Sequence, residues 1–195
     1  AFRTDTNVDI STFTLNLGDN ATPANGGGII LNNGAGITGG AGGKINIGNT
    51  ALSIYVDDAA VSTLGVPVHN TRNNSNNTLT TVFTKFGAGT LDIGAVQQFE
   101  GNIELSRGTL SFSAPNVLPF FSNLNGTSGS IIIMSPGTTI NLNNFDQEFG
   151  NLSAINPGNS FQFSAGTLNI GTATLTVGRE DSSQEFNGQI LGGAG

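Results

Sequence analysis

Three short segments decide the architecture: Thr90-Leu91-Asp92-Ile93-Gly94, Gln98-Phe99-Glu100-Gly101-Asn102-Ile103 and Gly108-Thr109-Leu110. In each, apolar residues alternate with polar ones or glycine over a few positions, and a glycine lies in the run or bounds it. That is the pattern of a short strand with one buried face. A second copy lies near the C-terminus, as Thr174-Leu175-Thr176-Val177-Gly178 followed by Glu185-Phe186-Asn187-Gly188-Gln189-Ile190. In both copies a glycine stands two residues after the phenylalanine and an isoleucine four after it. A looser middle copy runs Thr139-Ile140-Asn141-Leu142, then Glu148-Phe149-Gly150-Asn151-Leu152, with Gly166-Thr167-Leu168 delayed by an insertion. Gln98, Gln147 and Gln184 precede the three phenylalanines by one or two residues. Strand, phenylalanine and second strand at nearly fixed offsets are hard to obtain by chance, even in a glycine-rich chain.

The same alternation runs through Phe13/Leu15/Leu17, Ile45/Ile47, Leu52/Ile54/Val56, Ile103/Leu105, Leu110/Phe112, Ile140/Leu142, Leu168/Ile170 and Leu175/Val177. Helical spacing is rare, and glycine or β-branched residues interrupt the windows long enough to hold a helix. The 195 residues include 29 glycines and, counted from the sequence, 25 asparagines, which tolerate positive φ in the turns between strands. Only 10% of residues are charged, and the net charge is -7 with six Lys and Arg, which speaks against nucleic acid as a partner. No run approaches the ~20 apolar residues of a membrane helix. With no cysteine, there is neither a disulfide framework nor a thiolate metal site.

These features predict an all-β chain, specifically a right-handed parallel β-helix in which each coil covers the next. An antiparallel β-sandwich or jelly roll is the alternative, but it gives no reason for a recurring strand–Phe–strand unit. Residues 1–195 read as one β-helical segment, with weakly patterned coils over 1–83 and clearer repeats over 84–195. At ~20 residues per coil, nine or ten coils are expected. The residues that build the repeat are Gly89, Thr90, Leu91, Phe99, Gly101, Gly108, Phe149, Gly166, Phe186 and Gly188. The sequence breaks off at Gly195, where another Gly-Thr-Leu is due, so an excised piece of a longer repeat protein is expected. Its last coil, with Ile190 and Leu191, should then expose apolar side chains.

Lys85-Phe86-Gly87-Ala88-Gly89-Thr90-Leu91, the Phe99-x-Gly-x-Ile segment and Gly108-Thr109-Leu110 together resemble the autotransporter-associated β-strand repeat. The match is good over 84–112, partial over 166–195 and weak over 129–152. The resemblance implies part of the passenger of a type V secretion protein, lying outside the cell or on the outer-membrane surface of a Gram-negative bacterium. It implies a C-terminal outer-membrane β-barrel in the parent protein, and a role as adhesin scaffold, stalk or transport-competence region. A host receptor, a glycan or self-association is then the expected kind of partner.

The residues offer little to an enzyme, and a non-enzymatic role without cofactor or metal is expected. A carbohydrate-active or glycan-binding β-helix is the alternative, and it needs convergent carboxylates. The candidates are Asp57-Asp58, Glu100 with Glu104, Asp146 with Glu148, and Glu180-Asp181 beside Arg179; each reads as a strand end, a loop or a solvated face. His69 is the single histidine and reads as a loop residue. In Gly26-Gly27-Gly28 and Gly39-Gly40-Ala41-Gly42-Gly43 no Lys-Ser/Thr pair closes a phosphate loop, no helix is expected to follow, and the aspartates of a calcium repeat are missing. The best candidate binding loop is the polar excursion Asn70, Arg72, Asn73, Asn74, Asn76 and Asn77, because protruding loops are where such scaffolds carry recognition.

Overall fold

The computed structural model describes residues 1–18, 26–57, 60–70, 81–118, 120–123, 126–154, 166–178 and 184–192. Among them there is no helix, and parallel strands stack as a β-solenoid. The first sheet is seven strands deep: Phe2–Thr4, Gly27–Leu31, Leu52–Val56, Thr81–Phe86, Asn102–Leu105, Ile131–Met134 and Asn151–Ser153. The second is eight deep: Val8–Asp9, Ile37–Thr38, Val61–Leu64, Thr90–Ile93, Thr109–Phe112, Thr139–Asn141, Thr167–Gly171 and Gln189–Gly192. A third face is discontinuous, with Thr14–Asn16, Lys44–Asn46 and Val68–His69 in one ladder and Gln147–Glu148 with Leu175–Thr176 in another. Among the described residues the exception to parallel pairing is an antiparallel hairpin, Phe120–Asn123 with Gly126–Gly129, inserted between two rungs. These ladders exclude the sandwich alternative.

Seven or eight rungs replace the nine or ten expected. Register partners show why: Ile54 pairs with Lys85, 31 residues on, and Ile103 with Ile132, 29 on. Coils as short as ~20 residues do occur, as from Phe83 to Ile103. Excursions at the corners lengthen the rest.

The core is a set of columns running along the stack. Leu52, Phe83, Ile103, Ile132 and Leu152 follow one another down the first sheet, and Leu91, Leu110, Ile140 and Leu168 down the second. All are buried. Burial of each such side chain contributes about 1.5–3 kcal/mol, and only the adjoining rung can supply the cover. Two phenylalanine contacts span the interior: Phe83 stacks on Phe99 with centroids 5.8 Å apart, and Phe112 meets Phe149 at 6.2 Å.

The alternation rule misplaces a few residues. Phe13 is 74% exposed, because it lies in the corner before Thr14–Asn16 rather than within the strand. Val177 is likewise exposed, just beyond Leu175–Thr176. Ile190 and Leu191 in the last strand are 53% and 42% exposed, as expected for the last coil.

The repeat itself is re-phased. Thr90, Thr109, Thr139 and Thr167 are register partners on the second sheet, so the Gly-Thr-Leu units are true equivalents. The apparent copy at 174–190 is shifted by one face. Leu175–Thr176 pairs with Gln147–Glu148 on the third face, and Phe186 bridges Ala154 beside the first sheet. Gly188 precedes Gln189, which aligns with Thr167, so it matches Gly108 and Gly166 rather than Gly101. Corners on all three faces leave through glycine, as Gly101 before Asn102–Leu105, Gly108 before Thr109–Phe112 and Gly43 before Lys44–Asn46, and so short Gly-x-apolar strings cannot tell one face from another.

Candidate functional site

Lys85 lies in an otherwise apolar inward column, register-aligned with Ile54 on one side and with Leu105 and then Met134 on the other. Its side chain is fully buried. The Nζ donates to three backbone carbonyls: Gly87 O at 2.7 Å, Gly89 O at 2.6 Å and Arg107 O at 2.9 Å. Two belong to its own corner and one to the corner of the next coil, so a single cation ties adjacent turns together. Burial lowers the ammonium from the usual 10.5 to about 8, with the nearby Arg107 charge contributing. The turn needs its glycines. Gly87 has φ +85° and Gly108 φ +77°, and a Cβ on Gly108 would come within 2.5 Å of Gly87 O. The Lys-x-Gly-x-Gly-Thr-Leu string is therefore a buried ammonium with the carbonyl cradle that holds it. Periodicity alone gives no sign that Lys85 points inward.

Side-chain amides join the coils elsewhere. Buried Gln97 accepts from Val68 N at 2.9 Å and donates to Ala95 O at 2.7 Å; buried Gln147 accepts from Val117 N at 3.3 Å and donates to Ala114 O at 2.8 Å. The equivalent positions are thus Gln97 and Gln147, each two residues before its phenylalanine, and not Gln98. Outside the second sheet, Ser111 donates to Asp92 at 3.0 Å and Asn143 donates to Ser111 at 2.7 Å, a polar ladder across three rungs. On the third face Asn46 donates to Asn16 at 2.9 Å.

Asn70 of the candidate loop is only 6% exposed. Its Nδ2 donates to Glu100 O at 2.9 Å and its Oδ1 accepts from Glu100 N at 3.0 Å, so both ends of the amide clamp the next coil. It anchors the loop rather than presenting a contact. Arg72, Asn73, Asn74, Asn76 and Asn77 lie outside the described residues, as do Asp58, Arg179, Glu180 and Asp181.

Two of the remaining carboxylates accept local or inter-coil bonds. Asp146 accepts from Thr174 N at 2.6 Å, and Glu104 accepts from Ser106 Oγ at 2.7 Å. His69 sits on the third face, aligned with Asn46 and bridging Gln98. Among the described residues no group of three or more His, Cys, Asp or Glu side chains converges as a metal site. An open depression of about 470 Å³ lies over the corner near the last coils, lined by Gly137, Thr138, Thr139, Gly166, Thr167 and Asn187 to Gln189. Its polar groups are backbone, hydroxyl and amide, without an ionisable side chain.

One lateral feature does not serve the stack. Tyr55 and Phe86 are register neighbours on the outer side of the first sheet, with ring centroids 5.2 Å apart and planes at 62°. The Tyr55 hydroxyl bonds to the Asp57 carboxylate, which raises its pKa above the usual 10.0. The Arg107 charge lies close to both Tyr55 and Lys85. Compared with known protein families, characterised proteins and solved structures, the chain finds no match.

Proposed function

We propose that residues 1–195 are a non-enzymatic rod segment of a secreted or surface-displayed passenger, serving as scaffold, stalk or transport-competence region. The observation that carries this reading is the clamping of several corners to the adjoining coil: Lys85, Asn70, Gln97, Gln147 and Asn143 all bond across rungs. A chain built this way folds by adding rungs to a finished end. Folding outside a membrane then disfavours return and draws the rest through. The resemblance of residues 84–112 to autotransporter-associated repeats gives the setting: a Gram-negative outer surface, a C-terminal barrel in the parent protein, and adhesion as the use of the rod.

The test is display. With a signal peptide ahead of it and an outer-membrane barrel behind it, the wild-type chain should reach the cell surface as a protease-resistant rod. Phe99→Asp, which places a charge in the interior stack, should stall below the surface. Equal display of both would remove the export role. Cleavage of a polysaccharide by the purified chain would replace the reading with an enzymatic one.

A further inference from the structure

The outer column of the first sheet runs through Ile30, Tyr55 and Phe86. Phe86 is 37% exposed although it lies between two residues that the turn consumes, buried Lys85 and Gly87. Nothing in the coil requires an aromatic ring there, since the Lys85 cradle is closed by backbone carbonyls alone. Tyr55 and Phe86 stand on successive rungs, the Asp57 carboxylate acts on the Tyr55 hydroxyl, and Arg107 follows the strand of the next rung, Asn102–Leu105, close enough for its charge to act on Tyr55. The rings meet edge to face with centroids 5.2 Å apart. Beside them stand a carboxylate acceptor and a guanidinium donor, both exposed.

We propose that Tyr55, Asp57, Phe86 and Arg107 form a subsite for one neutral hexopyranose unit of a glycan. A pyranose presents an axial C–H face that packs on an aromatic ring, and equatorial hydroxyls that both donate and accept. Phe86 and Tyr55 take the C–H face, Asp57 accepts from hydroxyls, and Arg107 donates to them. The charges select against anionic glycans. Asp57 and Arg107 balance locally, and the chain as a whole carries -7. A protein partner would need a broader apolar area than two rings offer. The subsite stands apart from the export reading, so a chain that failed in display could still bind.

The sequence supplies a reporter, because Tyr55 is the sole tyrosine and there is no tryptophan. Tyr55 emission is followed during titration with cellohexaose and mannohexaose, with hyaluronan and heparin as anionic controls. Saturation-transfer NMR on the sugar C–H protons runs in parallel. The expected result is saturable binding of at least one neutral probe, weakened at least tenfold in Phe86→Ala and in Arg107→Gln with unchanged circular dichroism. Should Phe86→Ala unfold, the exposed Arg107→Gln variant decides alone. Binding of neither neutral probe, binding of the anionic controls only, or affinity undiminished in the folded variants would overturn the proposal. So would a dimer in sedimentation that Phe86→Ala dissolves, which would assign the rings to self-association.

Discussion

Lys85 is the residue at which composition and structure part most sharply. A buried cation is tolerated only when its donors are used, and here three carbonyls take them. Lys85→Met fits the column but strands those carbonyls, and it should cost about 1–3 kcal/mol at pH 7 by urea denaturation. The pH dependence carries a definite sign. The folded chain releases the Lys85 proton near pH 8, while the unfolded chain keeps it to about 10.5. Between those values the unfolded state holds more protons, so stability rises with pH, by at most roughly 3 kcal/mol at 1.36 kcal/mol per unit. Below pH 8 the contribution is lost. Tyr55, whose pKa is raised, acts in the opposite direction above pH 10. Subtracting the Lys85→Met curve removes it, and a difference flat from pH 7 to 10.5 would contradict the assignment. Asn70→Asp gives a second residue-scale prediction. Losing the donor to Glu100 O and facing that carbonyl with a charge should cost about 1–3 kcal/mol, read from the same urea midpoint.

Strands and corners behave differently under substitution. Phe99→Ala empties one side of the Phe83 stack and should cost about 3–5 kcal/mol by chemical denaturation. For the corners the informative pair is Gly108→Ala against Gly137→Ala, both at positive φ (+77° and +76°). The Gly137 Cβ would meet nothing within 4 Å, so only the left-handed backbone cost of about 1–2 kcal/mol applies. The Gly108 Cβ collides with Gly87 O and Lys85 Nζ, and its cost should exceed that clearly. Equal melting temperatures for the two variants would refute this account of the corner.

At this scale the limits of sequence reading are also visible. Strand alternation found Leu52, Ile54, Leu91, Ile93, Ile103 and Leu110, all fully buried, because a period of two is a direct imprint of one-sided burial. It misassigned Phe13 and Val177, which flank strands rather than lie in them. It could not phase the copy around Phe186, since glycine exits look alike on all three faces. Lys85 and Gln97 were invisible to hydropathy, which scores a polar side chain as outward regardless of whether its donors are met. The Tyr55–Phe86 pair stayed hidden for another reason. The two residues are 31 positions apart, and only the register of Leu52–Val56 with Thr81–Phe86 brings them together.

The molecule as a whole is a stack of rungs whose height follows from their number. Eight strands at about 4.8 Å make a second sheet roughly 34 Å tall. The stacking register is the claim on which every other assignment depends, including the Lys85 clamp and the Tyr55 subsite. The absence of native cysteine permits a clean test by paired replacement along the threonine column. Thr90 and Thr109 are register neighbours, as are Thr109 and Thr139, whereas Thr90 and Thr139 are separated by a full rung. Neighbouring rungs bring Cα atoms within the 4.4–6.8 Å span of a disulfide, and a two-rung separation of about 9.6 Å does not. In the folded chain, Thr90→Cys/Thr109→Cys and Thr109→Cys/Thr139→Cys should oxidise to intramolecular disulfides, and Thr90→Cys/Thr139→Cys should stay reduced. Ready crosslinking of 90 to 139, or failure of both adjacent pairs, would contradict the solenoid register.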